Sequence, residues 1–119
     1  MLKILQLLNE SEAIESYEIQ DFKQGNDFYY IKVQAELVNK SILFIREYVS
    51  EEDYHYSYHW QEEDSQLIIR WDNAPHHKHI KTHPHHKHIG ENILPSYEIG
   101  IREVLTYIDA ILNDKLHQD

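Results

Sequence analysis

The sequence predicts an α+β domain: a curved antiparallel β-sheet meander of five or six strands, with a short N-terminal helix and a C-terminal helix packed on it. Three observations carry that expectation. Apolar and polar residues alternate with a period of two through most of residues 14–72. The gaps between the alternating runs are too short for the crossover helices that parallel pairing requires. Apolar residues recur at helical spacing only at the two ends of the chain.

Taken in order, Leu2, Ile4, Leu5, Leu7 and Leu8 give the first helix an apolar face. Ile14 to Lys23, Asp27 to Leu37 and Ser41 to Val49 are rich in Tyr, Ile, Val and Phe, and Gly25-Asn26 and Asn39 supply the turns. Asp53 to Gln61 continues the pattern, Glu62-Glu63-Asp64-Ser65 reads as a solvated turn, and Gln66 to Asp72 forms a fifth strand. His85 to Ile89 fits a short sixth. Ser96 is the expected N-cap of a helix that carries Ile101, Leu105, Ile108 and Leu112 on one stripe, with Asn113-Asp114 as its end. Without repeat or linker, residues 1–119 read as a single domain.

Composition narrows the function classes. Cysteine is absent, which excludes a disulfide framework, a thiolate metal site and a Cys nucleophile and fits a reducing cytoplasm. The apolar start, Met1 to Leu8, is short, has Lys3 as its one basic residue and lacks a small-residue cleavage site, so no signal peptide is expected. No run approaches the ~20 apolar residues of a membrane span. A net charge of −10 argues against binding nucleic acid through bulk charge.

One segment breaks this acidic background. Residues 76–88 hold seven of the ten histidines, and from Arg70 to Gly90 four cations (Arg70, Lys78, Lys81, Lys87) face the single acid Asp72. Imidazole titrates near neutrality and serves as proton donor, proton acceptor or metal ligand. Three readings stay open. In the first, one histidine accepts a proton and another donates one, while Lys87, Lys81 or Arg70 stabilises an anionic transition state. In the second, His77, His79, His86 and His88 bind zinc, nickel or iron, since His77/His79 and His86/His88 point the same way on an extended chain. In the third, the tract is a solvated loop. Alternation also places His55, Ser57, His59 and Gln61 on one face of their strand and Tyr54, Tyr56, Tyr58 and Trp60 on the other, where the aromatics read as core. A hairpin with the next strand would gather His59, Arg70 and Asp72, with Asp72 free to orient a histidine.

These residues also carry a family resemblance. Tyr56-Ser57-Tyr58-His59-Trp60-Gln61, Arg70-Trp71-Asp72-Asn73-Ala74-Pro75-His76-His77 and Pro84-His85-His86-Lys87-His88 resemble the hallmark strings of the TumE-type toxin–antitoxin proteins, a small bacterial and archaeal family. His83 departs from the pattern, standing where an aromatic residue precedes Pro-His-His-Lys-His. The resemblance implies a cytoplasmic toxin with an antitoxin encoded by the adjacent gene, and leaves room for a homodimer. Joined to the acid/base reading, it gives an expected metal-independent endoribonuclease acting on RNA. His59, His85, His86 or His88 would be the base and His76 or His77 the acid, with Arg70 and Lys87 on the phosphorane and Asp72 in support. The rivals are a metal-dependent hydrolase or metal-binding protein (zinc or nickel) and a non-catalytic interaction module.

Overall fold

Strand follows strand across the sheet in the order of the chain. The computed structural model describes residues 2–116. Its elements are α1 (Lys3–Glu10), β1 (Ile14–Gln24), β2 (Phe28–Leu37), β3 (Ile42–Ser50), β4 (Tyr54–Gln61), β5 (Leu67–Asp72), β6 (His86–Ile89), β7 (Asn92–Pro95) and α2 (Ile101–Leu116). Every neighbouring pair is antiparallel, so the sheet is a pure meander of seven strands. No helix among the described residues is long and apolar enough to cross a membrane.

The strand count exceeds the expected five or six because Asn92–Pro95 pairs with β6. Gly90 makes that hairpin feasible: Ile89 pairs with Asn92, so the turn has two residues, and Gly90 adopts a φ of +60° that side chains disfavour. The new strand moves the start of the last helix. Ser96 is not its N-cap, since the helix begins only at Ile101 and Ser96 Oγ donates to the Tyr97 carbonyl at 3.2 Å, while its N–H is held by Thr82 Oγ1 at 2.9 Å. Gly100 does that work instead, with its carbonyl accepting from Val104 N–H at 3.1 Å and its own N–H donating to Glu103 Oε2 at 3.2 Å. The helix also runs through Asn113 and Asp114 to Leu116, because these residues are middling helix formers and not breakers.

Both helices cover one face of the sheet. Ile4 and Leu8 from α1, and Val104, Leu105, Ile108 and Leu112 from α2, form one buried cluster with inward residues of β2 to β5, Tyr56, Tyr58, Trp60, Ile69 and Trp71 among them. Tyr107 lies edge-on to Trp60 and Trp71. The aromatic stripe of β4 is therefore core. The other face stays open, and all the polar alternates of β4 and β5 point there.

One carboxyl lies on the covered face. Glu47 is 4% exposed and accepts hydrogen bonds from the phenols of Tyr58 and of Tyr29, the latter at 3.4 Å. Burial pushes its pKa up, and the two phenol hydrogen bonds offset that only in part. A raised pKa favours the protonated form in the fold. Its stabilising contribution is complete below the ordinary Glu value and disappears as pH rises through the folded one. Glu47→Gln keeps an acceptor for the phenols and removes the charge. It is expected to stabilise the protein by about 1 kcal/mol at pH 7, roughly 4 °C in Tm, and to gain little at pH 4. Thermal melts at the two pH values check this, and an equal gain at both would contradict it.

Candidate active site

Register assembles the polar face. In the β4–β5 pair Ser57 lies opposite Asp72 and His59 opposite Arg70. In the β5–β6 pair Asp72 lies opposite His86 and Arg70 opposite His88. Cross-strand partners share a face, so Ser57, His59, Arg70, Asp72, His86 and His88 all project away from the helices.

Asp72 is the hub of this group. It is 5% exposed. Its Oδ1 accepts from His86 Nε2 at 3.0 Å and from the Ala74 N–H at 3.0 Å, while its Oδ2 accepts from Arg70 Nε at 2.9 Å and faces His88 Nε2 at 3.5 Å. Burial alone would push the carboxyl up. The hydrogen bonds from Arg70 and Ala74, with the charges of His86 and Arg70, outweigh it and hold Asp72 below the usual carboxylate range.

The histidines divide by environment. His86 is 2% exposed, with Nε2 on Asp72 and Nδ1 on the Pro84 carbonyl at 2.9 Å. Both ring nitrogens are thus occupied by acceptors. His88 is a quarter exposed; burial holds its pKa below the ordinary imidazole value despite the attraction of Asp72, and the His86, Arg70 and His77 charges add to the effect. With Nε2 turned to Asp72, its Nδ1 is the nitrogen left to accept a proton. His59 is also held low, by burial first and then by the Arg70 charge, against a hydrogen bond to Gln61. Its Nδ1 stands 3.4 Å from Arg70 Nη1. His77 enters from the loop before β6, its ring centroid 4.8 Å from His86 and 5.7 Å from His88.

Other expected site residues lie elsewhere. Lys87 pairs with Trp71 and therefore projects to the covered side of the sheet, opposite His86 and His88. His85 does likewise: its Nδ1 meets the Tyr56 hydroxyl at 2.9 Å, its ring stacks on Tyr56, and Nε2 faces Glu98 at 4.0 Å. His76 is exposed in the loop, and among the described residues exposed His79 meets the cluster through His77, at 6.1 Å between ring centroids. Of the four histidines weighed for a metal, His77, His86 and His88 offer ligand atoms within 4.8 Å of one another, and His79 is outside that group. A metal there would have to take a His86 nitrogen from Asp72 or from Pro84, which works against the fit.

Sequence reading missed the neighbours of this cluster. A cleft of about 300 Å³ beside it is lined by Lys32, Phe44, Arg46, Ser57, His59 and Arg70. Lys32 pairs with Arg46 and Arg46 with Ser57, so extending the alternation of β4 back through β3 to β2 was the available signal.

Fold and site together define a small α+β domain whose open sheet face presents histidines around a buried carboxylate and an arginine. A family model described as Toxin TumE matches residues 4–112. The chain belongs to the TumE toxin family, which makes it the toxin component of a pair and implies an antitoxin partner. No curated protein and no solved structure matches it.

Proposed function

We propose that this toxin is a metal-independent ribonuclease working in the cytoplasm. The observation that carries the reading is the Asp72 hub, one buried carboxylate that orients Arg70, His86 and His88 on a face His77 also reaches. His88 Nδ1 takes the proton of a ribose 2′-hydroxyl, and the 2′-oxygen attacks the adjacent phosphorus. His77 protonates the departing 5′-oxygen, leaving a 2′,3′-cyclic phosphate. Arg70 is engaged by Asp72 through Nε and by His59 only at 3.4 Å through Nη1, so its outer edge still has N–H groups for the phosphorane oxygens. His86, buried with both nitrogens engaged, is a positioning residue. Burial, which holds His88 below the ordinary imidazole value, suits it to the role of base.

The convergence of His77, His86 and His88 favours a second reading, a hydrolase using zinc or nickel. One experiment separates the two. Untagged protein is incubated with end-labelled single-stranded RNA, with and without EDTA. Cleavage is expected to survive EDTA and to yield 2′,3′-cyclic ends. Activity that vanishes in EDTA and returns with one divalent ion would overturn the metal-independent mechanism in favour of the second.

A further inference from the structure

Among the described residues two cations on the open face form no ion pair, although Lys32 lies across from Asp21 in the β1–β2 register, where that carboxylate faces Lys23 at 3.9 Å instead. The two are Lys32 and Arg46, in a chain that carries 21 acids against 11 lysines and arginines. They are direct cross-strand partners, and like charges so placed repel. An unpaired like-charged couple in an acidic protein needs another reason to exist, and an anion seated between them supplies it.

The row continues toward the site. Lys32, Arg46, Ser57, Asp72 and His86 are successive cross-strand partners from β2 to β6, and Gln34, Phe44, His59, Arg70 and His88 form the row beside it. With strands ~4.8 Å apart, Lys32 and Arg46 stand about 10–15 Å from Arg70's strand. Phe44 is half-buried, edge-on to His59 at 5.9 Å, and Tyr48 lies on the same face, stacked against Phe28 at 5.8 Å. Cations spaced along a line with aromatic rings beside them form the pattern that holds a single strand, phosphates on the charges and unstacked bases on the rings.

We propose that the cleft over β2, β3 and β4 is a subsite for single-stranded RNA, in which Lys32 and Arg46 hold successive phosphates on one side of the one at Arg70 and Phe44 supports a base. The proposal rests on the histidine site cleaving RNA, yet its primary test reads binding, with cleavage measured separately. The probe is a fluorescein-labelled 2′-O-methyl oligoribonucleotide of about ten residues, which has no free 2′-hydroxyl to react. Anisotropy titrations with the full chain at low salt are expected to show binding. The Lys32→Ala/Arg46→Ala double variant should weaken it by roughly ten-fold or more and lower the salt slope by about 1.4, near 0.7 for each lost phosphate. Arg46→Lys should restore most of the loss, and Lys40→Ala, which pairs with Glu15 and Glu36 away from the cleft, should change nothing.

A double variant that binds like wild type, or a wild type that fails to bind at low salt, overturns the subsite. So does a double variant that loses the antitoxin complex on gel filtration while keeping the oligonucleotide, because the cations then serve a protein partner. Cation-dependent binding in a protein that cleaves no RNA supports the subsite and counts against the ribonuclease. Cleavage indifferent to Lys32 and Arg46, at every substrate length, does the reverse.

Discussion

His88→Ala is expected to lower RNA cleavage by about 10²–10⁴-fold, the usual cost of removing a general base. Stability should change by less than ~1 kcal/mol, because the ring is a quarter exposed on a four-residue strand and its ring neighbours are the histidines His77 and His86. Circular dichroism and single-turnover kinetics on the same preparations separate the two effects. The pH profile carries the sign. A base must be neutral to act, and His88 is held below the ordinary imidazole value, so the acidic limb of the wild-type rate should fall below pH ~6.5. Wild-type rates in His88→Ala, with loss in His59→Ala, would falsify the assignment and transfer the role to His59.

Asp72→Ala is expected to cost both activity and about 3 kcal/mol of stability, since it strands the Arg70 guanidinium and buried His86 without their shared acceptor. The Arg70 share is the smaller one, because that side chain is 39% exposed and solvent screens it. Asp72 also predicts acid sensitivity. Its folded pKa lies below the unfolded value, so its contribution is fully present above pH ~4 and is lost as pH falls through the folded value. Urea melts from pH 7 down to pH 3 should show wild type losing an advantage over Asp72→Asn as acid is added. Parallel curves would show that Asp72 contributes no such linkage.

What could be read from the chain alone followed periodicity. The first five strands and the covered position of Tyr56, Tyr58 and Trp60 come from alternation, which a buried sheet face enforces. Asn92–Pro95 escaped because four residues ending in proline hold too little pattern to distinguish a strand from a loop. Ser96 was a good cap residue in the wrong place, its backbone N–H diverted to Thr82, a long-range contact that local signals do not encode. Within the site, parity alone separates His86 and His88 from His85 and Lys87. His77 is different. The loop from 73 to 85 has no period, so nothing in its spacing indicates that His77, and neither His76 nor His79, folds back over His86.

Because the sheet is a meander in strict chain order, distance along the gene is distance across the molecular face. The groups assigned to bond breaking, Arg70 through His88, come from one uninterrupted stretch, and the cations assigned to holding the flanking strand come from an earlier hairpin. On the proposed reading, chemistry and grip are separate blocks. Substitutions in the earlier hairpin would then retune which RNAs are gripped without disturbing the reacting groups, and an antitoxin sealing the later block alone would silence every such variant.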